Sequence, residues 1–136
     1  MRKTWIQKRE TERNPEVEVI EKPFAGMPIG ARFLIPTPRE VNAYIRAVPS
    51  GSSRTISDMR ETLAKQYGAE FTCPLTSGFF LRIVAEAAYE EMLAGKPVNE
   101  ITPFWRAMDC KSKTAKKLSF GTELLARMRV SEGLEP

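Results

Sequence analysis

Apolar positions recur at helical spacing in several stretches of the chain, and the first stretch begins at Thr37. A capping Thr, a Pro at the first helical position and Glu40 three residues after the cap are together typical of a helix start. One buried face follows at the spacing of successive turns, at Val41, Tyr44, Ile45 and Val48. Pro49 cannot continue a helix, so the pattern predicts that this first helix ends there.

Three further helices are predicted downstream. The second starts at Ser57, carries an apolar stripe at every third or fourth position, and ends at Gly68, a residue favoured just after a helix end. The third is capped by Thr76 or Ser77 and continues to Leu93. Because this third segment is apolar on most sides, it is expected to be the most buried element. The last helix is predicted over residues 122–131.

The remaining segments are predicted to contain little regular structure. Residues 1–22 have mixed charge and are expected to form a poorly ordered or weakly extended arm. Proline and glycine punctuate residues 23–30, and a short strand is predicted at Arg32–Ile35. Residues 101–108 are expected to be a short extended segment.

These elements predict a mainly α (α+β) fold with short strands. Two helices joined by a turn, then an extended basic segment, are typical of a winged helix-turn-helix. The predicted division is an extended N-terminal arm, residues 1–30, followed by a winged helix-turn-helix-like domain, residues 31–136. A small helical bundle is the alternative that the same pattern leaves open.

Charge adds one candidate surface. The chain has 21 Lys and Arg against 17 Asp and Glu, a net charge of +4, which permits a polyanionic partner without requiring one. Residues 110–122 contain no acid, and their basic residues are Lys111, Lys113, Lys116 and Lys117. In a winged-helix domain this segment would be the wing or its neighbour and would contact phosphate, whereas in a simple bundle its lysines would only keep the chain in solution.

The residue types that are missing narrow the chemistry. The chain has no histidine, which excludes Ser-His-Asp and Cys-His catalysis. Its two cysteines, Cys73 and Cys110, are far apart and lack CxxC spacing, so no zinc site or other cofactor is expected. The N-terminus has no apolar signal segment and no stretch is apolar enough to span a membrane, so a cytoplasmic protein without a membrane partner is expected.

Four motifs lie in order between residues 35 and 133. They are VPSG at 48–51 with RTIS at 54–57, RIVA at 82–85, ITPFWR at 101–106, and an ending with Lys117, Leu124, Leu125 and SEG at 131–133. This segment resembles the DNA-binding domain of alkylguanine-DNA alkyltransferases and their non-catalytic relatives, the alkyltransferase-like proteins. That family has Ile-Pro-x-Gly…Thr-Tyr, Arg-Ala-Val-Gly, Pro-Cys-His-Arg and Lys…Leu-Leu…Glu-Gly at the corresponding places.

The resemblance implies DNA binding without alkyl transfer. In the alkyltransferases the Cys of Pro-Cys-His-Arg accepts the alkyl group as a thiolate, which the adjacent His helps to form. Phe104 and Trp105 stand at those two positions here, and neither side chain attacks carbon or relays a proton. Alkyltransferase-like proteins usually replace the Cys by Trp but keep the His, so the chain departs from both groups.

The resemblance also assigns roles to individual residues. Arg82 matches the arginine that fills the gap left by a flipped nucleotide, although pairing with Glu86 one turn later is an equally good interpretation. Phe104 and Trp105 would line a pocket for the flipped base, or would simply pack in the core. Arg106 would hold the pocket loop by hydrogen bonds. Ser57 and the four lysines of residues 110–122 would contact the DNA backbone.

Two positions weaken or complicate this assignment. Asp58 stands where the family commonly has a Tyr that helps to rotate a phosphate, and an anion beside DNA phosphate is unfavourable. Glu132 matches the glutamate that orients the family's His and is expected to cap or pair locally instead.

The leading hypothesis is a non-catalytic alkyltransferase-like protein in DNA repair. It would be a monomer that binds double-stranded DNA, senses alkylated guanine by base flipping and marks the lesion for a repair-protein partner, acting at the nucleoid. One alternative is a methylated-DNA-protein cysteine methyltransferase that uses Cys110, since Lys111 and Lys113 would favour its thiolate. The other is a winged-helix interaction module without DNA binding.

Overall fold

A computed structural model describes residues 2–136 of the chain. The elements, numbered in chain order, are α1 Trp5–Arg9, β1 Glu16–Val19, β2 Arg32–Ile35, α2 Pro38–Arg46, α3 Ile56–Gln66, β3 Phe71–Thr72, α4 Pro74–Leu93, α5 Lys113–Lys116 and α6 Glu123–Ser131. Two short 3₁₀ turns, Val98–Glu100 and Phe104–Arg106, lie between α4 and α5. The fold is mainly helical α+β, as predicted, and is consistent with a winged-helix-like domain.

The three strands form one small sheet with β2 at its centre. β1 pairs antiparallel to β2, with Glu16 opposite Ile35, and β3 pairs parallel to β2, with Phe33 opposite Phe71. Leu34 on β2 is completely buried, so the sheet contributes one face to the core. β2 lies where the sequence predicts a strand.

Helix α4 is the centre of the core. Its small residues allow neighbouring elements to approach closely. Four positions near its middle are completely buried: Val84, Ala85, Ala87 and Ala88. Helices α1, α2 and α3 all pack against it, and so does the 3₁₀ turn Phe104–Arg106. The prediction that this helix is the most buried element is therefore confirmed.

The four longer helices agree with the sequence prediction to within a few residues. Helix α2 has the predicted capping box, in which the Thr37 N–H donates to Glu40 Oε1 at 2.6 Å. Helix α4 begins earlier than predicted, at Pro74, because proline fits the first helical turn and the backbone of Cys73 before it is not helical. Helices α3 and α4, joined through β3, occupy the places of the two helices in a helix-turn-helix-like fold.

Residues 2–22 are more ordered than the predicted arm. Thr4 and Gln7 form a reciprocal capping box that starts α1. The buried Arg9 guanidinium hydrogen-bonds to Glu91 of α4, and the Ile6 N–H donates to Glu90 at 2.9 Å. These tertiary contacts, which mixed local charge does not reveal, hold α1 against the core. Strand β1 joins the sheet with Val17 opposite Leu34 and Val19 opposite Arg32.

The prediction of an extended segment over residues 101–108 is wrong. The Arg106 N–H donates to the Pro103 carbonyl at 3.0 Å and the Ala107 N–H to the Phe104 carbonyl at 3.0 Å, which closes a 3₁₀ turn. The basic segment is also not extended, because Ser112 caps the one-turn helix α5 by accepting from the Ala115 N–H at 3.2 Å. Within residues 94–136, all of which are described, no β-strand forms a wing.

No helix in residues 2–136 is both long and apolar enough to cross a bilayer.

Candidate nucleic-acid interface

A groove of about 920 Å³ runs along the outer face of α4's first half. Its second wall is the start of α3 with the loop before it, and its third is the segment from Ala107 to Lys117. Six basic side chains line it: Arg54, Arg60, Arg82, Lys111, Lys113 and Lys117. Asp109 is the one acidic residue in the lining, so the groove carries a strong excess of positive charge.

The charges of the three groove lysines are not neutralised by ion pairs in the part of the chain that the structure describes. Lys111, Lys113 and Lys117 are exposed, and none of them forms an ion pair within residues 2–136. The Asp109 carboxylate accepts from the Lys111 backbone N–H at 2.9 Å, which stabilises the turn. Lys116 is also exposed but does not line the groove, so the structure brings together three of the four predicted lysines.

Arg60 positions the two helices that form the groove. Its Nε donates to the hydroxyl of the buried Ser77 at 2.8 Å, and its Nη2 donates to the Pro74 carbonyl at 3.1 Å. Because Arg60 is on α3 and both partners are in the first turn of α4, these bonds fix one helix relative to the other. The guanidinium still contributes its charge to the groove wall.

Ser57 and Asp58 lie near the groove but outside its lining. Ser57 lines the smaller cavity on the other side of Arg60. Asp58 caps α3: its Oδ2 accepts from the Thr55 N–H at 2.8 Å, and its own N–H donates to Thr55 Oγ1 at 3.0 Å. These hydrogen bonds, the backbone one foremost, lower the pKa of this fully exposed carboxyl. Helix capping thus accounts for an acid at this position.

Arg82 lines the groove and is held from two sides. Its Nε lies 3.5 Å from Glu86 Oε2, and its guanidinium carbon lies 5.1 Å from the centroid of a Trp5 ring on α1. Glu86 is buried and also accepts from the Ser119 N–H at 2.8 Å. The interpretation that Arg82 pairs with Glu86 is therefore confirmed, and the role of Arg82 beside a flipped nucleotide stays a prediction.

The predicted base pocket of Phe104 and Trp105 is not formed. Phe104 is 0% exposed and Trp105 3% exposed, and neither lines the groove. The Phe104 ring packs edge-on against Phe120, with 5.8 Å between centroids, so the interpretation that these two aromatics pack in the core is the right one. A proline-led 3₁₀ turn directs both rings inward, which linear spacing does not reveal.

Glu132 joins three separate segments. Its carboxylate accepts from the Trp105 indole N–H at 2.6 Å, from the Gly51 N–H at 2.8 Å and from Arg106 Nε at 2.9 Å. Arg106 also donates to the Val48 carbonyl at 2.9 Å, so it holds the loop as expected. The expectation that Glu132 caps or pairs locally is therefore wrong, because its three partners lie 26 to 81 positions away in the sequence.

This cluster strongly favours the ionised form of Glu132. Burial alone raises the pKa of the carboxyl, but hydrogen bonds from Arg106, Gly51 and Trp105, with the Arg106 charge, lower it to about 2. The cluster therefore fixes the loop over residues 48–54 and the 3₁₀ turn against α6. Because this loop carries Ser53 and Arg54 into the groove wall, the cluster helps to shape the groove.

Neither cysteine lines the groove. Cys110 is half-buried, and its thiol lies 3.7 Å from the Thr122 carbonyl oxygen, to which it donates. Cys73 is buried at the start of α4, as expected for a small apolar residue. Both are free thiols.

Two exposed apolar residues in the groove were not predicted. Leu75 is 67% exposed and Phe79 is 57% exposed, and both line the groove from α4. The sequence does not indicate that Phe79 meets solvent, because a helix that is apolar on most sides gives no periodic signal for its exposed face.

No family model, no curated protein and no solved structure matches the chain.

Proposed function

We propose that this chain binds double-stranded DNA through the basic groove beside α4. The observation that carries the proposal is that Lys111, Lys113 and Lys117, without ion-pair partners in residues 2–136, converge on the groove between α3 and α4. Unpaired cations on an exposed wall are the groups that neutralise phosphate and release its counterions. A second helix that is packed in the core and presents one face of its first half to solvent can contact a duplex through that face.

The chemistry proposed for the groove is recognition alone. The support is the motif resemblance, in which Phe104 and Trp105 replace the acceptor Cys and its His. Alkylated guanine is the lesion that this resemblance favours. A flipped base would lie in the groove beside Arg82, since the aromatic pair is part of the core.

Binding to two short duplexes tests the proposal. One duplex is plain and the other carries a single O⁶-alkylguanine, and both are titrated at low salt by fluorescence anisotropy. We expect complexes with both duplexes and tighter binding to the alkylated one. Replacement of Lys113 and Lys117 by Ala should weaken both complexes, whereas replacement of Lys3 and Lys65, which lie outside the groove, should leave both nearly unchanged.

Three results would change the conclusion. Equal affinity for the two duplexes would remove lesion sensing and leave general DNA binding. Absence of any complex at low salt would overturn DNA binding and favour the interaction-module alternative. A gain of one alkyl group in the protein's mass after incubation with the alkylated duplex, lost in Cys110→Ser, would show that the chain is an alkyltransferase.

A further inference from the structure

Leu75 and Phe79 form an exposed apolar pair on the groove face of α4. They are four residues apart, so their side chains lie one above the other on a single face of the helix. Leu75 is 67% exposed and Phe79 57% exposed. The Phe79 ring makes an edge contact with the Phe80 ring, with 5.9 Å between their centroids. The rest of the Phe79 ring faces solvent in the groove.

This pair differs from isolated exposed apolar residues because it lies in a basic groove. Leu93, at the other end of the same helix, is 68% exposed but does not line the groove. Leu75 and Phe79 share their groove with the exposed Lys111, Lys113 and Lys117. A matching partner must therefore present negative charge around an apolar surface. In nucleic acid, phosphates flank stacked bases and meet both requirements.

We propose that Leu75 and Phe79 are a wedge that enters between neighbouring base pairs of the bound duplex and unstacks them. The inference rests on the proposed function and adds to it the residues that deform the DNA. Insertion would remove both side chains from water, and the groove lysines would bind the phosphates on either side of the opened step. Apolar side chains inserted between base steps bend DNA in this way in other architectures.

Arg82 is less suited to insertion than this pair. Its side chain is 31% exposed, and it is held by Glu86 at 3.5 Å and by the Trp5 ring. An insertion by Arg82 would have to break both contacts and leave the buried Glu86 without its cation. Insertion of Leu75 and Phe79 would break no ion pair and leave no buried charge without its partner, so the wedge costs the folded protein little.

A duplex containing 2-aminopurine at a single central position tests the wedge, because fluorescence of this base rises when it is unstacked. We expect the native chain to bind and to increase the fluorescence. Phe79→Ala and Leu75→Ala should each bind about ten- to hundredfold more weakly, because each variant lacks one large apolar side chain that the native complex buries. At saturating protein each should give less fluorescence than the native complex, with an unchanged dependence of affinity on salt.

Leu93→Ala is the matched control and should behave as the native chain does. Far-UV circular dichroism and thermal unfolding will show that the exposed-site variants keep the fold. Native binding without a fluorescence increase, or a full increase in both Phe79→Ala and Leu75→Ala, would overturn the wedge and leave the proposed function intact.

Two further results would go against both proposals at once. Failure of the native chain to bind any duplex removes the proposed function and the wedge with it. Phe79-dependent binding to vesicles of phosphatidylserine and phosphatidylcholine, with no binding to duplex, would assign the apolar pair and its cations to a membrane surface.

Discussion

The Glu132 cluster yields the prediction with the most direct physical basis. Glu132→Gln keeps the size of the side chain but removes its charge, and it turns an amide NH₂ toward groups that are all donors. Arg106, whose side chain is 17% exposed, would lose its only ion-pair partner in residues 2–136. The folded state should therefore be destabilised, while the unfolded chain is nearly unaffected.

The size of the effect follows from the pKa of Glu132. The carboxyl has an ordinary pKa of 4.5 and a pKa of about 2 in the folded chain. At about 1.4 kcal/mol for each pKa unit, ionisation stabilises the fold by about 3 kcal/mol at neutral pH. The Glu132 side chain is 11% exposed, and this partial contact with water reduces the expectation to about 2–3 kcal/mol.

The same pKa fixes the pH dependence. A carboxyl whose pKa is lowered on folding contributes its full stability above its unfolded pKa and loses it as the pH falls through the folded pKa. The Glu132 contribution should therefore be complete above about pH 5 and should disappear between about pH 4.5 and pH 2. In Glu132→Gln this part of the acid dependence should be absent.

Urea unfolding followed by circular dichroism, repeated between pH 7 and the acid limit, measures both effects. Glu61→Gln is the control, because Glu61 is 70% exposed in its pair with Lys65 and should contribute less than about 1 kcal/mol. If Glu132→Gln changes the free energy of unfolding no more than Glu61→Gln does, and its acid dependence matches that of the native chain, the reasoning about this cluster is refuted.

Three further substitutions have definite expected outcomes in urea unfolding. Arg82→Ala should destabilise the fold by about 1–3 kcal/mol, because the buried Glu86 loses its cation, and Glu86→Gln in the same chain should recover part of that loss. Gly78→Ala should stabilise the fold by about 0.5–1 kcal/mol, because alanine loses less backbone entropy than glycine when a helix forms. The added Cβ would lie 3.7 Å from Thr114 Oγ1 and 3.8 Å from Ile56 Cδ1, which are ordinary contact distances. A loss of stability would contradict this. Trp5→Ala should destabilise by about 2 kcal/mol, because the half-buried ring packs against the core and covers Arg82, and an unchanged midpoint would show that α1 adds nothing.

Local signals in the sequence were sufficient for the longer helices and the central strand. The Thr37–Glu40 capping box and Gly68 act within a few residues of themselves, so their meaning does not depend on the rest of the fold. Strand β2 is bounded by such punctuation as well. The exposure of the lysines after residue 110 could also be predicted, because a charged side chain without a partner is expected at the surface in any fold.

The contacts that could not be predicted from the sequence join residues that are far apart along the chain. Helix α1 depends on Arg9 meeting Glu91, and the inward turn of Phe104 depends on the core around Phe120. The role of Trp105 required knowledge that its indole N–H reaches Glu132 across 27 positions. The exposure of Phe79 could not be predicted either, because only the packing of α4 shows which of its apolar faces stays uncovered.

The salt dependence of duplex binding tests the central claim, that the groove lysines bind DNA phosphate. Two triple variants have the same change in net charge: Lys111, Lys113 and Lys117 replaced by Ala in the groove, or Lys3, Lys22 and Lys65 replaced outside it. If all three groove lysines contact phosphate, the groove variant should bind more weakly, and the slope of log affinity against log salt should become shallower by about 2.7. The outer variant should change that slope by less than about 1. Equal loss of affinity and slope in the two variants would contradict the claim, because binding would then depend on net charge and not on the groove.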